Sequence, residues 1–397
     1  MAMFKLPSRR YTGAKTRLLA QIESVFLRHL GAFENVQNLS FFDVFAGTGV
    51  VAWHFMQKFG GVILNSQSVN LSKNSNQNSL NLAKNSQQNK NSQNQRPNSN
   101  LTPQTPHFSR FLINDFLHSN YAIYQGFFGK GQLEMAKLQR LAQNYNAQKS
   151  VNLSENYYEK AFGGLFFSKN DSAKIGLIRD DLDTLLKGGK ITQKEFYALL
   201  ASLLYSADRV ANTVGHYDAY RKNAALQDRL KFELIEPFEC ECEIFREDAN
   251  ALAKKLQKKG EKIDLAFIDP PYNSRQYARF YHLLETLAKN DKPTLYGIAR
   301  KPKPDLISAY CKSEAVFAFD ELVATLAGCA KMLMVTYNNT TSANPRSNTR
   351  MNEAQIVRIL ENVGKTSKYE FDFKAFTSGK TDFAGHKEMI FACEIKL

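Results

Sequence analysis

The apolar run from Ile263 to Ile268 ends abruptly at Asp269-Pro270-Pro271-Tyr272. Its length and composition predict a buried parallel strand. Proline has no N–H to give to a ladder, so two in succession cannot continue a central strand. Asp269 therefore marks the strand's carboxyl end, which in an open α/β sheet is the edge where ligands bind. A carboxylate, a rigid turn and a flat aromatic ring are gathered there. Taken alone, the tetrapeptide is also an ordinary strand-ending turn, because Asp before Pro commonly opens one.

Other segments supply the rest of such a sheet. Leu39 to Phe45 reads as a strand, Ala46-Gly47-Thr48-Gly49 as the turn after it, and Val50 to Lys58 as a helix. Phe108 to Asn114 reads as a second strand closing on Asp115. Between them, residues 65–106 are rich in Asn, Ser, Gln and Lys. Such a stretch cannot bury enough apolar surface to offset its ordering entropy, so a disordered insert is expected. Its length adds little to the closure cost. A tethering or DNA-contacting arm is the functional alternative.

Phe116 to Arg229 is predicted to be mostly helical, with an apolar helix from Phe196 to Leu204 running into Asp208 to His216. Strand character returns at Phe232 to Ile235 and at Glu243 to Phe245. After the Ile263 strand come a helix from Tyr277 to Ala288, a strand from Met332 to Tyr337, and a closing hairpin of Phe371 to Phe376 with Met389 to Ile395. The expected fold class is α/β, a doubly wound, mostly parallel sheet with an inserted, mainly helical domain. The two parts of the sheet domain are residues 1–64 with 107–120, and 231–397. The helical insertion is residues 121–230.

The 397 residues, 43% of them hydrophobic, suffice for a large domain and a smaller one. The formal net charge of +14 is not confined to a tail, so a basic folded surface is expected, with nucleic acid the first partner to consider and an anionic membrane the second. A generically basic cytosolic protein is the plain alternative. Five cysteines without C-x-x-C spacing suggest reduced, structural thiols and a cytoplasmic location, and no metal site is expected. Met1 to Arg10 lacks the apolar core of a secretory signal, and no apolar stretch has the length to span a bilayer.

Gly47 and Gly49 allow a tight turn and a close approach of backbone to ligand. The turn lacks the full dinucleotide fingerprint and the Gly-Lys-Ser/Thr of a phosphate loop, so a plain tight turn remains open. Asp43 and Phe45 around it suit a cofactor with an amino-acid part and an adenosine part. Asp115 and Asp248 each follow a predicted strand, where an acidic side chain can bond ribose hydroxyls or an adenine amino group. Each can equally cap a helix. Lys15, in Tyr11-Thr12-Gly13-Ala14-Lys15, precedes an amphipathic helix and could meet a carboxylate.

Three ordered motifs, Tyr11 to Lys15, Asp43 to Gly49 and Asp269 to Tyr272, resemble those of adenine-specific DNA methyltransferases of the D12 class, the alpha group. Leu200 to Thr213, Asn273 to Tyr277, Tyr281 to Leu284 and Tyr337-Asn338-Asn339 are similar to the same family. The insert and Gly215 to Tyr220 depart from it, and the second departure leaves target specificity open. The resemblance implies S-adenosylmethionine as cofactor. Tyr11 and Lys15 would hold its methionine end, and Asp43, Phe45, Gly47 and Gly49 would line the pocket. Asp115 would take the ribose and Asp248 the adenine. It further implies an adenine flipped out of duplex DNA, stacked on Tyr272, with the Asp269 carboxylate and the Pro270 carbonyl accepting its N6 hydrogens and Pro271 fixing the turn. Arg209, Asn212, Tyr217, Arg221, Lys222 and Arg275 are the candidate DNA-binding residues; a solvated helix face is their plain reading. Double-stranded DNA is the expected partner of a monomer, with a separately acting restriction endonuclease possible. The same turn chemistry also serves enzymes that methylate RNA or protein amides, and a decayed DNA-binding relative is a non-enzymatic alternative.

Overall fold

The computed structural model describes residues 3–60, 105–148, 156–339, 349–372 and 387–396. Most of the low-complexity stretch expected at 65–106 therefore lies outside the described residues. Seven strands form one sheet: β1 Leu39–Asp43, β2 Phe108–Asn114, β3 Cys242–Phe245, β4 Ile263–Ile268, β5 Ala330–Asn338, β6 Gly364–Asp372 and β7 Lys387–Ile395. Their order is β3-β2-β1-β4-β5-β7-β6. The first five are mutually parallel, and β7 runs antiparallel to both β5 and β6.

Both faces are covered, and the strands show it residue by residue. Phe41, Ile113, Leu265, Phe267, Met332 and Met334 join one core, while Phe42, Leu112, Ala266, Ile268, Leu333 and Val335 join the other. This is the period-2 alternation of a sheet apolar on both sides. Helices α1 Leu19–Arg28 and α2 Val50–Phe59 belong to the Phe41 side. The helical segment follows as α3 His118–Phe128, α4 Met135–Ala147, α5 Tyr157–Phe162, α6 Lys169–Lys187 and α7 Gln193–Val210. Then come α8 Ala249–Lys258, α9 Tyr277–Phe280, α10 His282–Lys289, α11 Ala315–Ala327 and α12 Glu353–Glu361. Helices α8, α11 and α12 cover the Phe42 side.

The helical segment shares its core with the sheet. Phe162, Ile175, Leu182, Leu199 and Leu203 are buried in the same cluster as Phe41. Thr192 and Glu195 close a capping box at the start of α7. Buried Arg179 pairs with Asp183 at 2.6 Å and donates to the carbonyl of Leu287 at the end of α10. Gly126 lets α3 meet α7 closely: a Cβ there would lie 2.7 Å from the Tyr197 carbonyl oxygen and 2.8 Å from Ala201 Cβ. The expected boundary at residue 121 falls within α3.

Four predicted elements differ. Phe232 to Ile235 forms only an isolated bridge, Phe4 to Ile235. The N–H groups of Phe232, Glu233 and Ile235 are taken by the side chains of Asn146, Ser206 and Ser202, so no ladder is needed to satisfy them. The helix expected from Tyr277 to Ala288 breaks at Tyr281, where ψ is 24°. The stretch from Ala211 to Arg229 carries no helix. The closing hairpin is longer than expected on the β6 side, and its predicted residues 373–376 lie outside the described ones. Among the described residues no helix is long and apolar enough to cross a membrane.

Gly126→Ala should lower the unfolding free energy by about 1–3 kcal/mol, measured by urea denaturation, because neither the Tyr197 backbone nor Ala201 can yield without parting α3 from α7.

Candidate active site

The loops leaving β1, β2, β3 and β4 at the sheet's carboxyl edge line one cleft, together with Tyr11 to Lys15 and residues from Gln276 to Ala278. It encloses about 1060 Å³, part of it continuous with solvent. Every predicted cofactor-binding and catalytic residue lines this cleft except Gly49, which lies just behind it. Gly47 and Gly49 have φ of 55° and 76°, the left-handed region that glycine adopts without strain. A Cβ on Gly49 would also lie 3.0 Å from the Tyr124 ring. The Tyr124 hydroxyl donates to the Gly47 carbonyl at 2.7 Å and so fixes the turn.

The acidic residues have distinct settings. Asp43 is 1% exposed, and its Oδ2 accepts only a 3.3 Å bond from Ala52 N–H. Its Oδ1 is buried without a partner. Burial, with Asp269 and Asp115 nearby, pushes its carboxyl well above the usual range, against the opposing pull of the Ala52 N–H and Lys15. Asp115 accepts from the backbone N–H groups of Gly47 at 2.9 Å and Leu117 at 2.8 Å, so it locks the glycine turn. Asp248 caps α8 through Ala251 N–H, and it also borders the cleft.

Asp269 is the most heavily bonded. Its Oδ2 pairs with Lys15 Nζ at 2.8 Å. Its Oδ1 accepts from the Tyr272 hydroxyl at 2.8 Å and from Thr336 Oγ1 at 2.7 Å. Lys15 thus meets a carboxylate, and its Nζ also lies 4.8 Å from the centroid of the Tyr272 ring. The turn is held from outside as well: the Tyr272 carbonyl accepts from Arg350 N–H and from the Tyr337 hydroxyl, whose ring lies 4.5 Å from that of Tyr272. Burial, then Asp269 and Glu388, drive the Tyr272 phenol well above its usual range, so it stays a proton donor.

A stack of tyrosines walls the N-terminal side. The rings of Tyr11 and Tyr281 are 4.6 Å apart and 7° from parallel, and Tyr277 continues the stack. The break before α10 makes this possible, and the Tyr281 hydroxyl accepts from Thr12 N–H at 2.8 Å. Buried Arg9 lies 5.0 Å from the Tyr11 ring centroid and donates to Asn120.

Sequence reasoning missed Thr336, Glu388 and Arg9. Glu388 is the second residue of β7, and because β7 is antiparallel, its start arrives at the carboxyl edge of the parallel strands, with Glu388 opposite Asn338. A signal was present: a lone acid at the head of an apolar strand, two residues from inward-facing Ile390.

None of the six candidate DNA-binding residues lines the cleft. Tyr217 is a correction: it is 1% exposed, packed near Phe166 and Tyr281, and its hydroxyl donates to Asp208 at 2.8 Å. Its ring anchors a loop in the core and has no surface to offer DNA. The Asn212 amide clasps the carbonyls of Leu165 and Arg221. Arg209 is exposed and pairs with Glu233. Arg221 and Lys222 are exposed, as is Arg275, whose guanidinium lies 5.4 Å from the Phe280 ring centroid.

A doubly wound sheet in this strand order, with an acid-lined cleft at its carboxyl edge, is of the methyltransferase type. The sequence profile of the D12 class of N6 adenine-specific DNA methyltransferases matches residues 11–101 and 99–316, and the chain belongs to that family. It is 30% identical over 343 residues to the modification methylase StsI of Streptococcus sanguinis, covering 83% of this chain and 44% of that one. It is 27% identical to the modification methylase LlaI of Lactococcus lactis subsp. lactis, covering 79% and 44%, and 28% identical to the type II methyltransferase M.NlaIII of Neisseria lactamica, covering 70% and 80%. The chain thus spans less than half the length of the first two relatives.

Lys15→Met removes the cation from a largely buried pair while leaving Asp269 in place. The unfolding free energy should fall by about 3 kcal/mol in chemical denaturation.

Proposed function

We propose that the chain transfers a methyl group from S-adenosylmethionine to N6 of an adenine flipped out of duplex DNA, as the modification enzyme of a restriction-modification system. The observation that carries this reading is the position of Asp269: a carboxylate fixed by Lys15, Tyr272 and Thr336 in a cleft lined with acids. Buried Asp43, with its Oδ1 unpartnered and two further carboxylates near it, suits a cationic ligand. When bound, S-adenosylmethionine supplies an electrophilic methyl on a positively charged sulfur. Tyr11, Phe45 and the Gly47 turn border the space for it, with Asp43 toward its positive groups, Asp115 toward the ribose and Asp248 toward the adenine ring.

The adenine amino group is a poor nucleophile because its lone pair is delocalised into the ring. Asp269 and the Pro270 carbonyl accept its two hydrogens and favour a pyramidal nitrogen, with its lone pair turned to the methyl donor. This is preorganisation, and removal of a proton before attack is unnecessary. Tyr272 offers a ring on which the base stacks. The amino group is inaccessible inside a stacked duplex, hence the need to flip the base. Residues 121–230 serve as the target-recognition region in this reading, with Arg209, Arg221, Lys222 and Arg275 toward phosphates. A cytoplasmic monomer with a separately acting endonuclease completes it.

Asp269→Ala should abolish transfer of labelled methyl groups to duplex DNA while the protein stays folded by circular dichroism; near-normal N6-methyladenine in the digested DNA would sink the mechanism. The folded protein holds the Asp43 proton to higher pH than the unfolded chain does, so this group's contribution to stability falls as pH rises above the usual carboxylate range. A cationic cofactor prefers ionised Asp43, so its affinity should rise over the same range. Asp43→Asn should flatten both dependences, followed by calorimetry and thermal unfolding.

A further inference from the structure

Glu388 has no part in the mechanism described so far, yet it reaches the reacting centre. It is 6% exposed, and its Oε2 lies 3.3 Å from the Tyr272 hydroxyl. That hydroxyl has one proton and two carboxylate oxygens to choose from, and it favours Asp269 at 2.8 Å. Asp269 is therefore loaded with three donors: Lys15, Tyr272 and Thr336. Each draws charge from the carboxylate and weakens it as an acceptor for anything further. A donor that lets go inside a buried site is left unsatisfied, which is costly unless another acceptor stands within reach. For Tyr272 that acceptor is Glu388.

We propose that Glu388 is a positioning residue of the methyl-transfer site, taking the Tyr272 hydroxyl as a hydrogen-bond acceptor when the adenine amino group engages Asp269. This rests on the adenine-methylating function proposed above. The charged and titratable groups that face Glu388 are Lys15 from the N-terminal turn and Asp269 and Tyr272 from the turn after β4. Burial raises its carboxyl above the usual range, Lys15 opposes this, Asp269 adds to it and the Tyr272 hydroxyl opposes it. A cationic ligand in the cleft adds to the pull of Lys15 and favours the ionised, accepting form. Release of the hydroxyl then coincides with a filled site. No bond is made or broken in this exchange; one proton donor changes acceptor.

The test is a double-mutant cycle on the full chain, with Glu388→Ala, Tyr272→Phe and the pair, read as single-turnover methyl transfer from labelled S-adenosylmethionine to duplex DNA. Cofactor affinity by calorimetry and thermal unfolding are measured alongside. Glu388→Ala should slow transfer at saturating cofactor roughly tenfold, the worth of one hydrogen bond expressed in the transition state. Glu388→Gln, which keeps an acceptor oxygen, should restore most of the rate. In the Tyr272→Phe background Glu388→Ala should have no further effect, because the hydroxyl it serves is gone. Should Glu388→Ala not fold, Glu388→Met carries the same comparison with the volume kept. Equal losses with and without the Tyr272 hydroxyl, or an unchanged rate for Glu388→Ala, overturn the proposal. If the unaltered chain leaves no N6-methyladenine in DNA, the proposed function falls and this role with it; normal methylation with a silent Glu388→Ala removes this role alone.

Discussion

The pair formed by Lys15 and Asp269 joins two segments that are far apart in sequence and that no strand connects. Lys15 comes from the short turn before α1; Asp269 ends β4 at the middle of the sheet. Both are largely buried, so each would be costly there alone, and together they fix the distance between the N-terminal turn and the floor of the cleft. The tyrosine stack and the Thr12 bond to Tyr281 reinforce the same union from the other side. Without this closure the sheet edge would be an open shelf. With it, the edge becomes a walled cleft in which, among the described lining residues, Lys15 is the one cation beside several acids.

That imbalance of charge is built into the fold. Asp43, Asp269 and Glu388 lie near Lys15, Asp115 lies nearer Arg9, and burial raises the carboxyls of Asp43, Asp115 and Glu388. In the proposed function, a cationic cofactor would draw part of its binding free energy from relieving repulsion already present in the fold.

Much of this was legible in the chain itself. The strands at 108–114 and 263–268 have the predicted bounds, because each is a short, mostly apolar run followed by an acidic residue, and after 263–268 by two prolines. The residues expected at the cofactor and catalytic positions meet because strand ends in a parallel sheet share one edge, which makes their convergence a matter of topology. Thr336 and Glu388 escaped notice because their roles depend on register between β5 and β7, which a single sequence does not encode locally. Tyr217 was misjudged for a related reason. An aromatic among basic residues looks like a surface feature, but its partner, Asp208, lies on the preceding helix and draws it inward. The helix break at Tyr281 has no glycine or proline to announce it; it is set by stacking against Tyr11.

The helical segment has no core of its own: Leu199, Leu203 and Phe162 pack into the same apolar body as Phe41 of the central strand. Divergence is thereby channelled. A change on the inward face of α7 is transmitted to the sheet that carries the cleft, and so is constrained by the chemistry performed there. Arg221 to Ala225, exposed and outside any helix or strand, carry no such obligation. A lineage can revise those positions one by one while its catalytic scaffold stays as it was.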